Sequence, residues 1–323
     1  MRLRQVLIEG QPASQVATRA GWVNLSEVAQ KEPSLHSISG SLLSILAALP
    51  QQRHTLQQVA NSCSPTQETG TPTLPFQPAS YRDFMLYESH VIDASRGFAK
   101  HFLPKVYPII RTIERLSRRP FFAFNPKPLW YQQPIYYLGN HLAFIPDRAT
   151  IPWPSYCTVL DYELELGLVL TKPLYNATPE EAEAAIGGFV LFNDVSVRNV
   201  QRAEMDSGFG PQKAKHFCNV LGHELVTADE ILPRWQKLTG EVRINGQLVS
   251  RVSAQSPQFS LGEALAHVSH CEYLFPGEFF GTGTLPGGSG IENGHLPRPG
   301  DQLELVLEGI GRLSNPIGLQ TNR

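Results

Sequence analysis

Polar and apolar side chains alternate between positions 161 and 170: Asp161, Glu163 and Glu165 fall on one phase, Tyr162, Leu164, Leu166 and Leu168 on the other. A period of two predicts a strand with one oily face and one anionic face, all three carboxylates leaving on the same side. A second apolar run, Phe189-Val-Leu-Phe, predicts another short buried strand, and Asp194 just beyond it brings a fourth carboxylate toward the same place. Two carboxylates about 4 Å apart at an effective dielectric of ~20 repel by roughly 4 kcal/mol, so three converging pairs cost on the order of 12 kcal/mol. That is comparable with the ~5–15 kcal/mol stability of a whole domain. Such a cluster needs protons or a cation, and oxygen-only ligation suits a hard divalent ion (Mg²⁺, Ca²⁺ or Mn²⁺) better than zinc. The plainer reading of Glu163-Leu-Glu165, as the solvent face of an antiparallel strand, is weakened by the motifs below.

The rest of the pattern divides the chain in three. Residues 1–63 read as a small β-rich N-terminal domain, with strand-like pieces at 4–8 and 21–25 and a helix at 40–48. Residues 64–80 turn to Pro, Thr, Gln and Gly and read as an extended connector. From 81 to 323, β-branched and aromatic runs broken by Gly and Pro predict a β-rich, mixed α/β domain. Its helices are expected at 83 to about 102, 109–117, 179–186 and 261–269, and Asn245-Gly246 predicts a two-residue hairpin turn.

Composition excludes some partners. A chain of 323 residues with a net charge of −2 has room for a large and a small domain and no basic surface suited to nucleic acid or an anionic membrane. No apolar run approaches the ~20 residues needed to span a bilayer, and the first ten residues meet charge and glycine too early for a signal peptide. A cytoplasmic protein is expected. Cys63, Cys157, Cys218 and Cys271 are widely spaced, which fits reduced thiols.

Further motifs follow in a fixed order: Asp83-Phe84 with His90 seven residues past the Asp, Glu163 and Glu165, Asn193-Asp194 with Arg198 and Gln201, Lys215 ahead of Phe217, and Gly281-Thr282. With these, the C-terminal three-quarters of the chain resembles the fumarylacetoacetate hydrolase family. The resemblance implies a β-roll catalytic domain preceded by a small β-rich one, commonly in a homodimer. It implies Asp83, Glu163, Glu165 and Asp194 as ligands of a divalent cation, Mg²⁺ foremost, and Lys215 beside it on the enolate oxygen. It makes His90 the base that activates water, Glu292 its orienting carboxylate, and Arg198, Gln201 and Thr282 substrate contacts. Asn140 stands where animal members place a pocket tyrosine and is carried as a substrate contact too; Met85, Ala99, Met205 and His216 also depart from that pattern. Asp161 has no role in it and reads as a solvated or capping residue.

The function implied is metal-dependent cleavage of a carbon–carbon bond in a small 1,3-dioxo or acylpyruvate-type acid, as in the catabolism of aromatic compounds such as tyrosine. The same enolate chemistry serves three alternatives: a 2-oxo-alkenoate hydratase, a decarboxylase or a keto–enol isomerase. A catalytically silent binding relative is a further alternative, raised by His216 and Asn293 beside expected site residues. Retention of His90 and Glu292 together favours hydrolysis, because a decarboxylase needs no activated water.

Overall fold

The structure, a computed structural model, describes residues 1–67 and 70–320. Among these, eleven strands form one mixed sheet. Its path runs β3 (Trp22–Asn24), β2 (Gln11–Ala17), β1 (Arg2–Ile8), β12 (Asn219–Thr227), β10 (Ile186–Asn193), β9 (Glu163–Leu170), β15 (Phe279–Ser289), β5 (Tyr81–Phe84) and β6 (Tyr136–Leu138). The short strands β4 (Thr71–Pro72) and β7 (Phe144–Pro146) pair with β1 and β12. A ribbon joins β8 (Leu160–Asp161) to β11 (Ser196–Val197). A second sheet is ordered β14 (Gln247–Ser253), β13 (Thr239–Ile244), β16 (Gln302–Leu307), β17 (Gly311–Pro316).

The alternation read in the sequence is the organising feature of β9, but all eight of its residues are buried, so neither face meets solvent. Leu164, Leu166, Leu168 and Leu170 enter a core shared with the second sheet and the helix Leu261–Ser269. On the other phase the acids give way to Gly167 and then Val169, which packs with Val190, Phe192 and Phe279 in a separate core. Gly167 is required there, since a Cβ would sit 2.5 Å from the Phe279 ring. The sheet therefore has apolar layers on both faces, and the acids lie where one layer stops.

The N-terminal segment is not a separate β-rich unit. Its helices Leu25–Lys31, Leu42–Ala47 and Pro50–Asn61 outweigh its strands, and Leu42, Ile45 and Leu56 belong to one buried core with Val169, Val190 and Phe279 of the main sheet. β1 pairs antiparallel with β12 through Leu3↔Leu225, and within the expected connector β4 pairs β1 through Val6↔Pro72. The boundary at 64–80 thus marks a change of composition that the sheet crosses.

The helix expected from residue 83 begins only at Glu88. Tyr81–Phe84 is buried at all four positions and pairs parallel with β15, which forces extended backbone through Asp83. The helix expected at 179–186 stops at Glu183, and Ile186 instead opens β10 by pairing with Leu170. Leu261–Ser269 forms as expected, its start fixed by a capping box between Ser260 and Glu263. The Asn245-Gly246 turn has φ of 52° and 77°, the left-handed pair that a tight hairpin demands.

Candidate active site

Three strands deliver the acids, with β15 running between two of them. Asp83 on β5 lies across from Gly281 on β15, Gly281 across from Gly167 on β9, and Glu165 on β9 sits between Phe192 of β10 and Thr284 of β15. Asp194 follows β10 directly, its N–H donating to Glu163 O at 3.1 Å. Oxygens of Asp83, Glu165 and Asp194 all lie within 4.8 Å of one another, and all three residues are buried. Gly281 makes room for this convergence, since a Cβ there would meet Asp83 Oδ1 at 2.2 Å and Glu165 Oε2 at 2.7 Å.

β15 carries a one-residue bulge in this stretch, Gly281 pairing with Gly167 but Thr284 with Glu165. Gly283, at φ +82°, absorbs it and points its N–H at Glu165 Oε2 (3.1 Å) and Asp83 Oδ1 (3.3 Å). The bulge also decides which threonine faces the acids. Thr284 donates to Glu165 Oε1 at 3.4 Å and lines the cavity, whereas Thr282 is fully buried outside it and donates to Gly283 O.

Glu163 stands apart from the three-acid cluster. Lys215 Nζ bonds both Glu163 and Asp194, and Arg198 reaches Glu163 Oε1 at 2.7 Å. Glu163, expected as a cation ligand, lies against two cations of the chain itself, Lys215 and Arg198. Burial disfavours its charge, but Lys215 and Arg198 outweigh that and hold its pKa below the ordinary value. Burial and neighbouring carboxylates instead push Asp83 and Glu165 well above the carboxylate range. Asp194 is also raised by burial, with Lys215 opposing. Tyr137, which the sequence did not single out, donates to Asp194 Oδ2 at 2.8 Å.

Asp161 is neither solvated nor idle. It is buried, accepts from the N–H groups of Gly290 (2.7 Å) and Ile291 (2.9 Å), and binds Arg198 Nε at 2.7 Å. Arg198 bonds Gln201 Oε1 as well, at 2.8 Å, so Asp161, Glu163 and Gln201 share one guanidinium. Five buried carboxylates (Asp83, Asp161, Glu163, Glu165, Asp194) thus face two buried cations, Lys215 and Arg198. That imbalance, and Asp194 Oδ1, buried with no hydrogen-bond partner, fit a divalent cation held by Asp83, Glu165 and Asp194.

The short helix Gly290–Asn293, which Asp161 tethers, carries Glu292 to His90: Glu292 Oε2 lies 3.1 Å from His90 Nδ1, both side chains buried. Glu292 also accepts from Gly287 N, Ser289 N and Ser289 Oγ. The approach depends on Gly97 of the helix Glu88–Phe102, where a Cβ would fall 1.8 Å from Ile291 O. Burial opposes the charged form of His90, Glu292 outweighs it, and the pKa is raised above the ordinary 6.5.

His90, Asp83, Glu163, Glu165, Lys215, Arg198, Gln201 and Thr284 line one cavity of about 1070 Å³. Asn140 is not among its lining residues: its Nδ2 donates to His216 O at 3.1 Å and its Oδ1 accepts from Leu142 N, so it braces the loop behind His216. Of the two lysines in Gln212-Lys-Ala-Lys, Lys215 is buried in the site, while Lys213 lies over the Tyr156 ring at 5.3 Å. The cysteines are all free, with Cys271 exposed.

A buried three-acid cluster, a lysine and a histidine 3.1 Å from a carboxylate are thus gathered around one cavity, an arrangement chemically able to polarise a carbonyl compound. Residues 112–318 match the family model described as fumarylacetoacetate (FAA) hydrolase C-terminal, with Asp83 and His90 lying ahead of the match. The chain belongs to the fumarylacetoacetate hydrolase family. An uncharacterized protein of Methanocaldococcus jannaschii is 31% identical over 58% of the chain and 73% of its own length. Oxaloacetate tautomerase YisK of Bacillus subtilis is 32% identical over 49% of the chain, and 2,4-didehydro-3-deoxy-L-rhamnonate hydrolase of a Sphingomonas strain 31% over 49%. These matches span only about half of those two relatives, 52% and 55%. Among solved structures, a fumarylacetoacetate hydrolase of Exiguobacterium antarcticum superposes with a TM-score of 0.70 at 18% identity, covering 99% of both chains.

Proposed function

We propose that this chain is a divalent-cation-dependent hydrolase cleaving the carbon–carbon bond of a 1,3-dioxo or acylpyruvate-type acid. One observation carries the reading: His90, with Glu292 3.1 Å from its Nδ1, opens on the same cavity as Lys215, Asp83 and Glu165. A divalent cation, Mg²⁺ foremost, held by Asp83, Glu165 and Asp194 would supply Lewis-acid polarisation of the substrate. Lys215, kept protonated by Asp194 and Glu163 despite its burial, sets a positive charge where the enolate oxygen develops. With Nδ1 facing Glu292, His90 uses its other nitrogen to take a proton from water. The water oxygen bonds to the acyl carbon, the bond from that carbon to the adjacent CH₂ breaks, and the electron pair leaves on the CH₂ side as an enolate. A proton returned from the imidazolium completes a ketone, and the other product is a carboxylic acid.

Keto–enol tautomerisation of a 2-oxo acid is the second reading, favoured by the match to oxaloacetate tautomerase YisK at 32% identity, level with the hydrolase at 31%. Incubation with Mg²⁺ and an acylpyruvate separates them: hydrolysis releases a free carboxylic acid, whereas tautomerisation changes the enol absorbance and releases none. A homodimeric assembly is part of the proposal, to be tested by light scattering. So is a cytoplasmic setting; among the described residues no helix is long and apolar enough to cross a membrane.

Chelation should abolish activity and lower Tm, since removing the ion withdraws its binding free energy from the folded state and leaves the crowded, buried Asp83, Glu165 and Asp194 to be neutralised by protons. Equal activity and equal Tm in EDTA would contradict a cation at these residues. The hydrolytic reading also fixes a pH dependence. A base must first lose its proton, so kcat/KM should rise with pH through the raised pKa of His90, half-maximal above 6.5. Glu292→Gln removes the carboxylate, leaves the burial, and should move that limb to lower pH; an unmoved limb argues against the pair.

A further inference from the structure

The helix Glu88–Phe102 starts at the reacting end with His90 and then turns an apolar stripe toward the cavity instead of the core. Val91, Ala94 and Phe98 recur at helical spacings of three and four and line the cavity, while only His90, Gly97 and Ala99 of that helix are buried. Leu103 and Met205 continue the lining at 41% and 50% exposure. From His90 to Phe98 the helix rises roughly 12 Å at ~1.5 Å per residue. Arg198 marks where the character changes: its guanidinium binds Asp161 and Glu163 and also lies 5.8 Å from the Phe98 ring. The cavity, at about 1070 Å³, reaches the top of the ~300–1,000 Å³ range of small-molecule sites.

We infer that the substrate carries an extended alkyl tail beyond its oxo-acid head, and that the tail lies along Val91, Ala94 and Phe98. The identity of the head rests on the function proposed above; the tail rests on the stripe. Titration calorimetry of the Mg²⁺-loaded protein with straight-chain 2-oxo acids, from 2-oxobutanoate to 2-oxodecanoate, reads the tail without requiring turnover. Kd should fall about two- to fourfold for each added CH₂, and Ala94→Trp, which fills the stripe, should flatten that slope. A Kd independent of chain length, a slope unchanged by Ala94→Trp, or no binding at any length overturns the inference. Turnover of the matching 2,4-dioxo acids is measured separately. Chain-length-dependent binding without carbon–carbon cleavage upholds the tail and removes the hydrolytic reading alone.

Discussion

Replacing His90 with alanine should lower kcat for carbon–carbon cleavage by roughly 10²–10⁴, the usual worth of a general base, and leave cation affinity within a few fold. The two effects separate because the imidazole pairs with Glu292 and takes no part in the Asp83–Glu165–Asp194 cluster. The fold should tolerate the change, since Glu292 keeps its bonds from Gly287 N, Ser289 N and Ser289 Oγ. Exchange of the substrate's α-proton with solvent deuterium should persist, with solvent taking the proton and Lys215 and the cation stabilising the enolate oxygen, since no attack by the His90-activated water is involved. Full carbon–carbon cleavage by His90→Ala would remove His90 as the base that activates water.

Lys215→Met should be the most damaging single change to stability, costing about 3–5 kcal/mol in the absence of added cation. Its ammonium is the shared partner of Glu163 and Asp194, and both carboxylates are buried. Removing it leaves Arg198 to serve Glu163 and Tyr137 to serve Asp194, with no positive charge bonded to both. Added Mg²⁺ should restore part of the lost stability, while kcat stays low because the enolate oxygen has lost its cationic neighbour. Urea unfolding with and without Mg²⁺ measures this. A loss smaller than about 1 kcal/mol would mean that these two acids fold as neutral groups and need no lysine.

Local patterns in the sequence carry a large part of the site. The period of two puts Glu163 and Glu165 on one phase of β9, and the apolar run of β10 puts Asp194 at its end, whereas Asp83, the third acid of the cluster, comes only from the family resemblance. The Asn245-Gly246 turn and the cap at Ser260 are equally local. Features that depend on tertiary partners are not legible in this way. Asp161 looks like one more polar residue at a strand end until the Gly290–Asn293 helix and Arg198 close on it. Thr282 and Thr284 exchange roles because of a bulge at Gly283, a register shift with no signature in the alternation itself. Tyr137 belongs to an edge strand of three residues, too short to read as a pattern. The N-terminal helices are underestimated from sequence because their apolar faces are matched to a sheet made by residues far along the chain.

The helix that bears His90 links the two ends of the cavity mechanically. An alkyl group settling on Val91, Ala94 and Phe98 would grip the same rigid rod whose first turn presents the imidazole, His90 being the residue next to Val91. Part of the free energy of seating a non-reacting group would then go into holding the base still at the moment of proton transfer, and would not appear as tighter binding. Shortening the substrate would accordingly slow the bound complex as well as loosen it. In this chain, selectivity for substrate length and the rate of the chemical step would be two readings of one element's rigidity.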